Sequence, residues 1–160
     1  MSGSKNFQRW CYTLPDPDEF GGKKRLINSK IVIVVPSVLW SVVVVRHTLR
    51  DFLIFNCLND ELVSDIEIAT DEAVANVIKH SYAEDPSKTI SITMEIKDGY
   101  VEITVRDFGI KMEVKKIEEP ELPDLRESGR GLLLIHKLVD EMEYRNVCKG
   151  NMLLLRRKIS

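Results

Sequence analysis

The chain has 160 residues, 44% of them hydrophobic and 30% charged, which is the composition of one globular domain of ordinary size. A formal net charge of -2 gives no footing for bulk nucleic-acid binding. At this length neither a two-lobed kinase of the eukaryotic type nor a membrane sensor with receptor, dimerisation and catalytic parts is expected.

Residues 1–29 mix Gly3, Pro15, Pro17, Gly21 and Gly22 with polar and charged residues and show no sustained period. They are expected to form a loosely ordered extension, with the domain proper over 30–160. The aromatics Phe7, Trp10, Tyr12 and Phe20 leave open that part of it docks on the domain or on a partner. Ile31 to Val45 is an apolar run interrupted by Pro36 and closed by Lys30 and Arg46. It is shorter than the roughly 20 residues that span a bilayer, so no membrane segment is expected. It predicts a buried strand, Ile31–Val35, running into a buried helix over 38–56 with Ser37 as N-cap.

Asn59-Asp60-Glu61 is a helix start with acidic residues at the favoured end. Leu62, Ile66, Ala69, Ala73 and Val77 then recur at steps of 4, 3, 4 and 4, the buried face of a second helix ending near Tyr82. Thr89–Ile96 and Tyr100–Val105 alternate with period two around Asp98-Gly99, a hairpin. Residues 108–127 carry Pro120, Pro123 and many Lys and Glu, a loop long enough to act as a lid. Ser128-Gly129-Arg130-Gly131 opens a helix predicted from Leu132 to about Glu141. Met142–Val147 and Met152–Arg157 flank a turn at Lys149-Gly150-Asn151. The order predicts an α+β fold: a two-layer sandwich, its sheet mostly antiparallel, with helices on one face.

Cys11, Cys57 and Cys148 are odd in number, dispersed and without a Cys-x-x-Cys pair. Neither a disulfide framework nor a zinc site is expected, and reduced thiols fit a cytoplasmic protein.

Three stretches have the residue types that chemistry needs. Glu72, Asn76 and His80 fall at i, i+4 and i+8, a polar row flanking the apolar face of the second helix. A carboxylate there suits a base and an amide oxygen suits Mg²⁺, although the row equally fits a solvated helix edge. Arg106-Asp107-Phe108-Gly109 ends a strand. Asp107 there suits a hydrogen bond from a ligand amine and Gly109 a close backbone approach, but the same residues make an ordinary turn. Gly129-Arg130-Gly131 at a helix start suits an anion, with Arg130 adding charge, or else a hinge before a core helix. No Gly-Lys-Ser/Thr follows, so it is not a Walker A loop.

In this order the motifs resemble the GHKL ATP-binding (Bergerat) fold of histidine-kinase catalytic domains, type II topoisomerases and MutL, over roughly residues 30–158. Within it the chain is most similar to the small bacterial anti-sigma factors that are serine-protein kinases of partner-switching systems. The matching stretches are Val35-Pro36-Ser37, Glu72-Ala73 with Asn76, His80-Ser81-Tyr82, and Gly129-Arg130-Gly131-Leu132 with Asp140-Glu141. The resemblance implies that Glu72 is the catalytic base and that Asn76 ligates a Mg²⁺ bridging ATP phosphates. It implies that Asp107 accepts from the adenine amine, that Gly109 makes room for the base, and that Gly129 and Gly131 offer amides to phosphate. Arg130 and Leu132 belong to the same phosphate-side motif, and Lys79 is implied near ribose or phosphate. Where many relatives have Asp-x-Gly-x-Gly, Lys111 takes the second glycine position.

The resemblance also implies a STAS-type anti-anti-sigma partner as the phosphorylated protein, a sigma factor as the protein held, and a homodimer face around the first helix. The alternative is a non-catalytic nucleotide-binding or degenerate regulatory module. A stand-alone ATPase of the repair or topoisomerase kind needs transducer domains that do not fit this length. Arg46-His-Thr-Leu-Arg50 has a faint likeness to a histidine phosphoacceptor box, but His47 lies within the expected first helix of the ATP domain itself.

Overall fold

The computed structural model describes residues 29–110 and 127–159. The expected extension up to residue 28, the expected lid over 111–126 and Lys111 lie outside the described residues.

Strand β1 is Ser29–Pro36 and helix α1 is Trp40–Phe55. Helix α2 is Asp60–Asn76 and runs on into a π-turn, Val77–Ser81. Strands β2 (Thr89–Lys97) and β3 (Tyr100–Asp107) follow, then helix α3 (Glu127–Leu138) and strands β4 (Glu141–Asn146) and β5 (Asn151–Lys158). All five strands pair antiparallel in the order β1-β2-β3-β5-β4. The fold is α+β, as its element order predicts.

Period-two alternation sets the inner face of the sheet. Ile90, Ile92, Met94 and Ile96 of β2, and Val101, Ile103 and Val105 of β3, are buried against Leu49 and Leu53 of α1, Ile66, Ala69 and Ala73 of α2, and Ile135 of α3. Each Val, Leu, Ile or Met among them, fully buried, contributes roughly 1.5–3 kcal/mol. The β2–β3 turn is left-handed at both central residues, Asp98 (φ 52°) and Gly99 (φ 81°), the geometry that matches strand twist. One consequence reaches the site. Asp107 is the next inward position after Val105, so the same alternation that builds the core aims a carboxylate toward the helices.

Three local expectations are corrected. The apolar run is a strand and a helix, but it is not buried throughout. On the edge strand β1, Val32 and Val34 point away from the helices, opposite Thr93 and Ser91, and remain 54% and 64% exposed. On α1 only Ser41, Val45, Leu49, Phe52 and Leu53 are buried, and Trp40, Val43, Val44 and Phe55 face outward. Ser37 is not the N-cap. The turn between β1 and α1 closes through Val38 N–H to Pro36 O and Ser41 N–H to Val38 O, so α1 begins later, and the capping position falls on Leu39. Finally, α3 starts before its glycines and stops at Leu138. Asp140 is already tied to β5, its N–H donating to Arg156 O and its carboxylate accepting from Lys158 N–H.

Candidate active site

Helix α2 places the polar row. Asn59 caps it, its side chain accepting from Leu62 N–H at 2.8 Å. Leu62, Ile66, Ala69 and Ala73 are buried, which rotates Glu72 and Asn76 to the half-buried margin. Helix α3 packs against that margin at Gly131. A Cβ on Gly131 would stand 2.7 Å from Glu72 Oε2 and 3.4 Å from Asn76 Nδ2. Any side chain there would drive α3 off the row or displace Glu72. Gly131 sits inside the α3 ladder, so its missing Cβ rather than a free N–H is its contribution here.

Glu72 and Asn76 hydrogen-bond to no described residue. A carboxylate and an amide side by side at a half-buried margin, without partners among the described residues, have oxygens to offer a ligand. Among the described residues no group of three or more His, Cys, Asp or Glu is placed to hold a metal. Mg²⁺ takes one or two protein oxygens and fills the rest with phosphate and water, so a single such pair could hold it. Of the two, Asn76 Oδ1 could hold Mg²⁺, which would supply positive charge there.

The rest of the row departs. The π-turn begins at Val77, changes the helical period, and leaves His80 exposed. Lys79 is also exposed and lines a groove of about 360 Å³ between α1 and α2, together with Arg46, Asp71 and Glu72. Glu72 therefore stands between that groove and Gly131. Beside it, Asp71 pairs with Arg46 at 2.6 Å. Burial raises the Asp71 carboxyl, and the bond and charge of Arg46 pull it partly back.

At the other end of the α2 segment the π-turn grips the β3 terminus. Asp107 is 2% exposed. Its Oδ1 accepts from Gly109 N–H at 2.8 Å and from Asn151 Nδ2 at 2.9 Å, while Oδ2 meets Ser81 Oγ at 3.5 Å. All three donors are neutral, and among the described residues no cation pairs with Asp107. Tyr82 O–H donates to Thr89 O at 2.8 Å and accepts from Phe108 N–H at 2.7 Å. Burial raises the Tyr82 hydroxyl, which keeps it neutral beside the carboxylate. Tyr144 is likewise raised, by burial first and by the charge of Asp107 second.

Two glycines permit this closeness. A Cβ on Gly109 would collide with the Ser81 carbonyl. Gly150, at φ +70°, lies against Asp107 O and Phe108 Cα with no space for a side chain. Arg106 braces the same turn, donating to Asn151 O and Lys149 O and covering the Phe108 ring at 4.8 Å.

The structure thus joins Glu72, Asn76 and Gly131 at one place and gathers Asp107 and Gly109 with Ser81, Tyr82 and Asn151 at another. Gly129 and Arg130 lie in the first turns of α3, and Leu132 packs half-buried against the core. Ser81, Tyr82, Gly150 and Asn151 were not expected. Only Ser81 and Tyr82 carried a sequence signal, as part of the His-x-Tyr stretch. The Asn151 contact spans 44 residues and has no local signature.

Residues 35–157 match the family described as "Histidine kinase-like ATPase domain". The chain is 35% identical over 106 residues to an anti-sigma F factor of Geobacillus kaustophilus, covering 63% of this chain and 72% of that one. It is 34% identical over 94 residues to the serine-protein kinase RsbW of Oceanobacillus iheyensis, covering 54% of this chain and 60% of the relative. A crystal structure of RsbU and RsbW domains from Mycobacterium tuberculosis aligns with a TM-score of 0.63 over 82% of this chain and 32% of that one, at 23% identity, a likeness of fold. No described helix is long and apolar enough to cross a membrane. The chain belongs to the histidine kinase-like ATPase domain family, on the side of its anti-sigma factor and serine-protein kinase members.

Proposed function

We propose that this protein is an ATP-binding anti-sigma factor that phosphorylates a serine or threonine of a STAS-type partner and, when free of that partner, holds a sigma factor. The observation that carries the reading is the Glu72–Asn76 pair set against Gly131, without partners among the described residues. It stands in a chain similar to an anti-sigma F factor and to a serine-protein kinase.

In this reading Asp107 accepts from the base amine and Gly109 gives the base room. Asn76 would hold Mg²⁺, which would supply positive charge to offset that of the phosphates, and the first turn of α3, with Gly129 and Arg130, offers them positive potential. Glu72 takes the proton of the attacking hydroxyl. The new O–P bond forms at the γ-phosphorus as the bridging O–P bond breaks, and ADP leaves with the released charge. Phosphoryl transfer is mostly positioning and charge neutralisation, so this small set of side chains suffices. The partner gains about -1.5 to -2 charges, enough to expel it from an interface. The exposed apolar edge of β1 with α1 is where a second copy pairs in a homodimer.

Incubation of the chain with Mg-ATP and a STAS protein, read by mass spectrometry, tests this. Phosphate on one Ser or Thr of the acceptor is the expected result. Lys111 at the second glycine position favours a second reading, a regulatory nucleotide-binding module. Tight Mg-ATP binding with no transfer to any STAS protein would select that reading instead.

A further inference from the structure

Helix α1 runs back along β1, so its end meets the start of the strand. Ser29 Oγ donates to Asn56 Oδ1 at 3.2 Å, and Asn56 Nδ2 donates to Phe52 O at 2.7 Å. Beside this junction lies a largely apolar groove of about 570 Å³. Ile31 of β1 forms one side of it. Val44, Thr48, Asp51 and Phe55 of α1 form the other, at i, i+4, i+7 and i+11, a single stripe.

The groove is an unfinished part of the core. Ile31 has the inward parity of Ile33 and Val35, and Val35 is buried, yet Ile31 is 36% exposed. Val44 is 42% exposed on the helix opposite. The inward side of β1 is therefore open at the end where the chain enters the domain.

What precedes Ser29 suits this opening. It joins the domain two residues before Ile31, so it starts at the mouth of the groove. Residues 1–14 carry Phe7, Trp10, Tyr12 and Leu14, with Lys5 and Arg9 and no Asp or Glu. Asp51 in the groove is exposed and pairs with no cation among the described residues. The acidic Asp16, Asp18 and Glu19 fall in the connecting stretch. Fifteen residues separate Leu14 from Ser29, a reach of up to about 50 Å. The 16 residues of α1 span only about 24 Å. A tethered segment also has a high effective concentration, which a free partner lacks.

We propose that the groove between β1 and α1 is the docking site of this chain's own N-terminal segment, residues 7–14, with its aromatic side chains on Ile31 and Val44 and Arg9 toward Asp51. The inference does not depend on the nucleotide site. It also divides the surface: the segment takes the groove, and the outer-face Val32 and Val34 with Trp40 are left to the second copy.

The test reads acrylamide quenching of Trp10 in the full chain carrying Trp40→Phe, since these are the two tryptophans. Trp10 is shielded, equally at every protein concentration. Val44→Lys lowers the docked-to-free ratio by about 10-fold or more, the effect of losing one apolar side chain and setting a charge in its place. Asp51→Lys lowers it by about 2- to 5-fold, as expected for an exposed ion pair. Val34→Lys, on the outer sheet face, leaves the shielding unchanged. Thermal unfolding is followed throughout, and if Val44→Lys does not fold, Asp51→Lys decides alone. A Trp10 as open to quencher as a free peptide overturns the proposal. Shielding that survives both groove variants places the segment elsewhere and overturns it too. Shielding lost on dilution, or by Val34→Lys, assigns the groove to a second copy and overturns docking within one chain.

Discussion

Gly109 and Asp107 show how little freedom the proposed base end of the site has. Gly109→Ala sets a methyl against the Ser81 carbonyl, and only a backbone shift can relieve it. Asp107→Asn replaces an acceptor with an NH₂ that must face Gly109 N–H, Asn151 Nδ2 or the base amine, all donors. Each change is expected to weaken Mg-ATP by about 10-fold or more in a calorimetric titration, with the fold retained. Arg46 and Asp71 make a prediction in pH. Burial raises the Asp71 carboxyl, so its ionised form is disfavoured in the native state. That penalty is absent below the unfolded carboxyl value, grows as pH rises toward the raised native value, and is complete above it. Arg46→Met removes the group that offsets it and raises Asp71 further. The stability gap between variant and wild type should therefore open from acid to neutral pH, reaching about 1 kcal/mol for so exposed an arginine. Denaturant melts at both pH values measure it, and an equal gap at both would contradict the assignment.

Elements differ in how far local residues decide them. The start of α2 was legible because Asn59 and the following acidic residues act within one turn, and the structure shows that cap. Asn59→Ala is expected to cost about 1 kcal/mol, seen as a fall of about 3–5 °C in the unfolding midpoint. The start of α1 was not legible, because the turn after Pro36 closes through backbone bonds and through Ser41 Oγ donating to Pro36 O, and Ser37's side chain does not contribute. The π-turn at 77–81 likewise leaves no trace in composition, yet it moves His80 out of line with Glu72 and Asn76 and carries Ser81 and Tyr82 to Asp107. In α3 the two glycines read as a helix opening. Helix forms through them, because α3 must approach Glu72 more closely than any side chain at 131 allows.

Across the whole molecule the two sheet edges are unlike. β4 presents Glu141, Glu143 and Arg145, charges that discourage further strand pairing. β1 leaves Val32 and Val34 exposed on the outer sheet face, while its Ile31 lines a groove with Val44 and Phe55 of α1. Val34→Lys should convert a sedimenting dimer to monomer while leaving the unfolding midpoint of dilute protein nearly unchanged. A wild type that sediments as monomer would contradict the homodimer. At this scale the sequence conveyed the architecture and the α2, β3 and α3 motifs, because periodicity and turn chemistry are local. It did not convey that Asn151 and Gly150 complete the surroundings of Asp107, since only the β3–β5 register brings them there.

The central claim is that Glu72 accepts the proton of the acceptor hydroxyl beside Asn76 and Gly131. The direct measurement is single-turnover transfer from ATP to a STAS protein by wild type and by Glu72→Ala, with Mg-ATP affinity measured on both. Loss of about 10²–10⁴ in transfer rate, with affinity within about 3-fold of wild type, is the predicted result. Transfer by Glu72→Ala at the wild-type rate would contradict it.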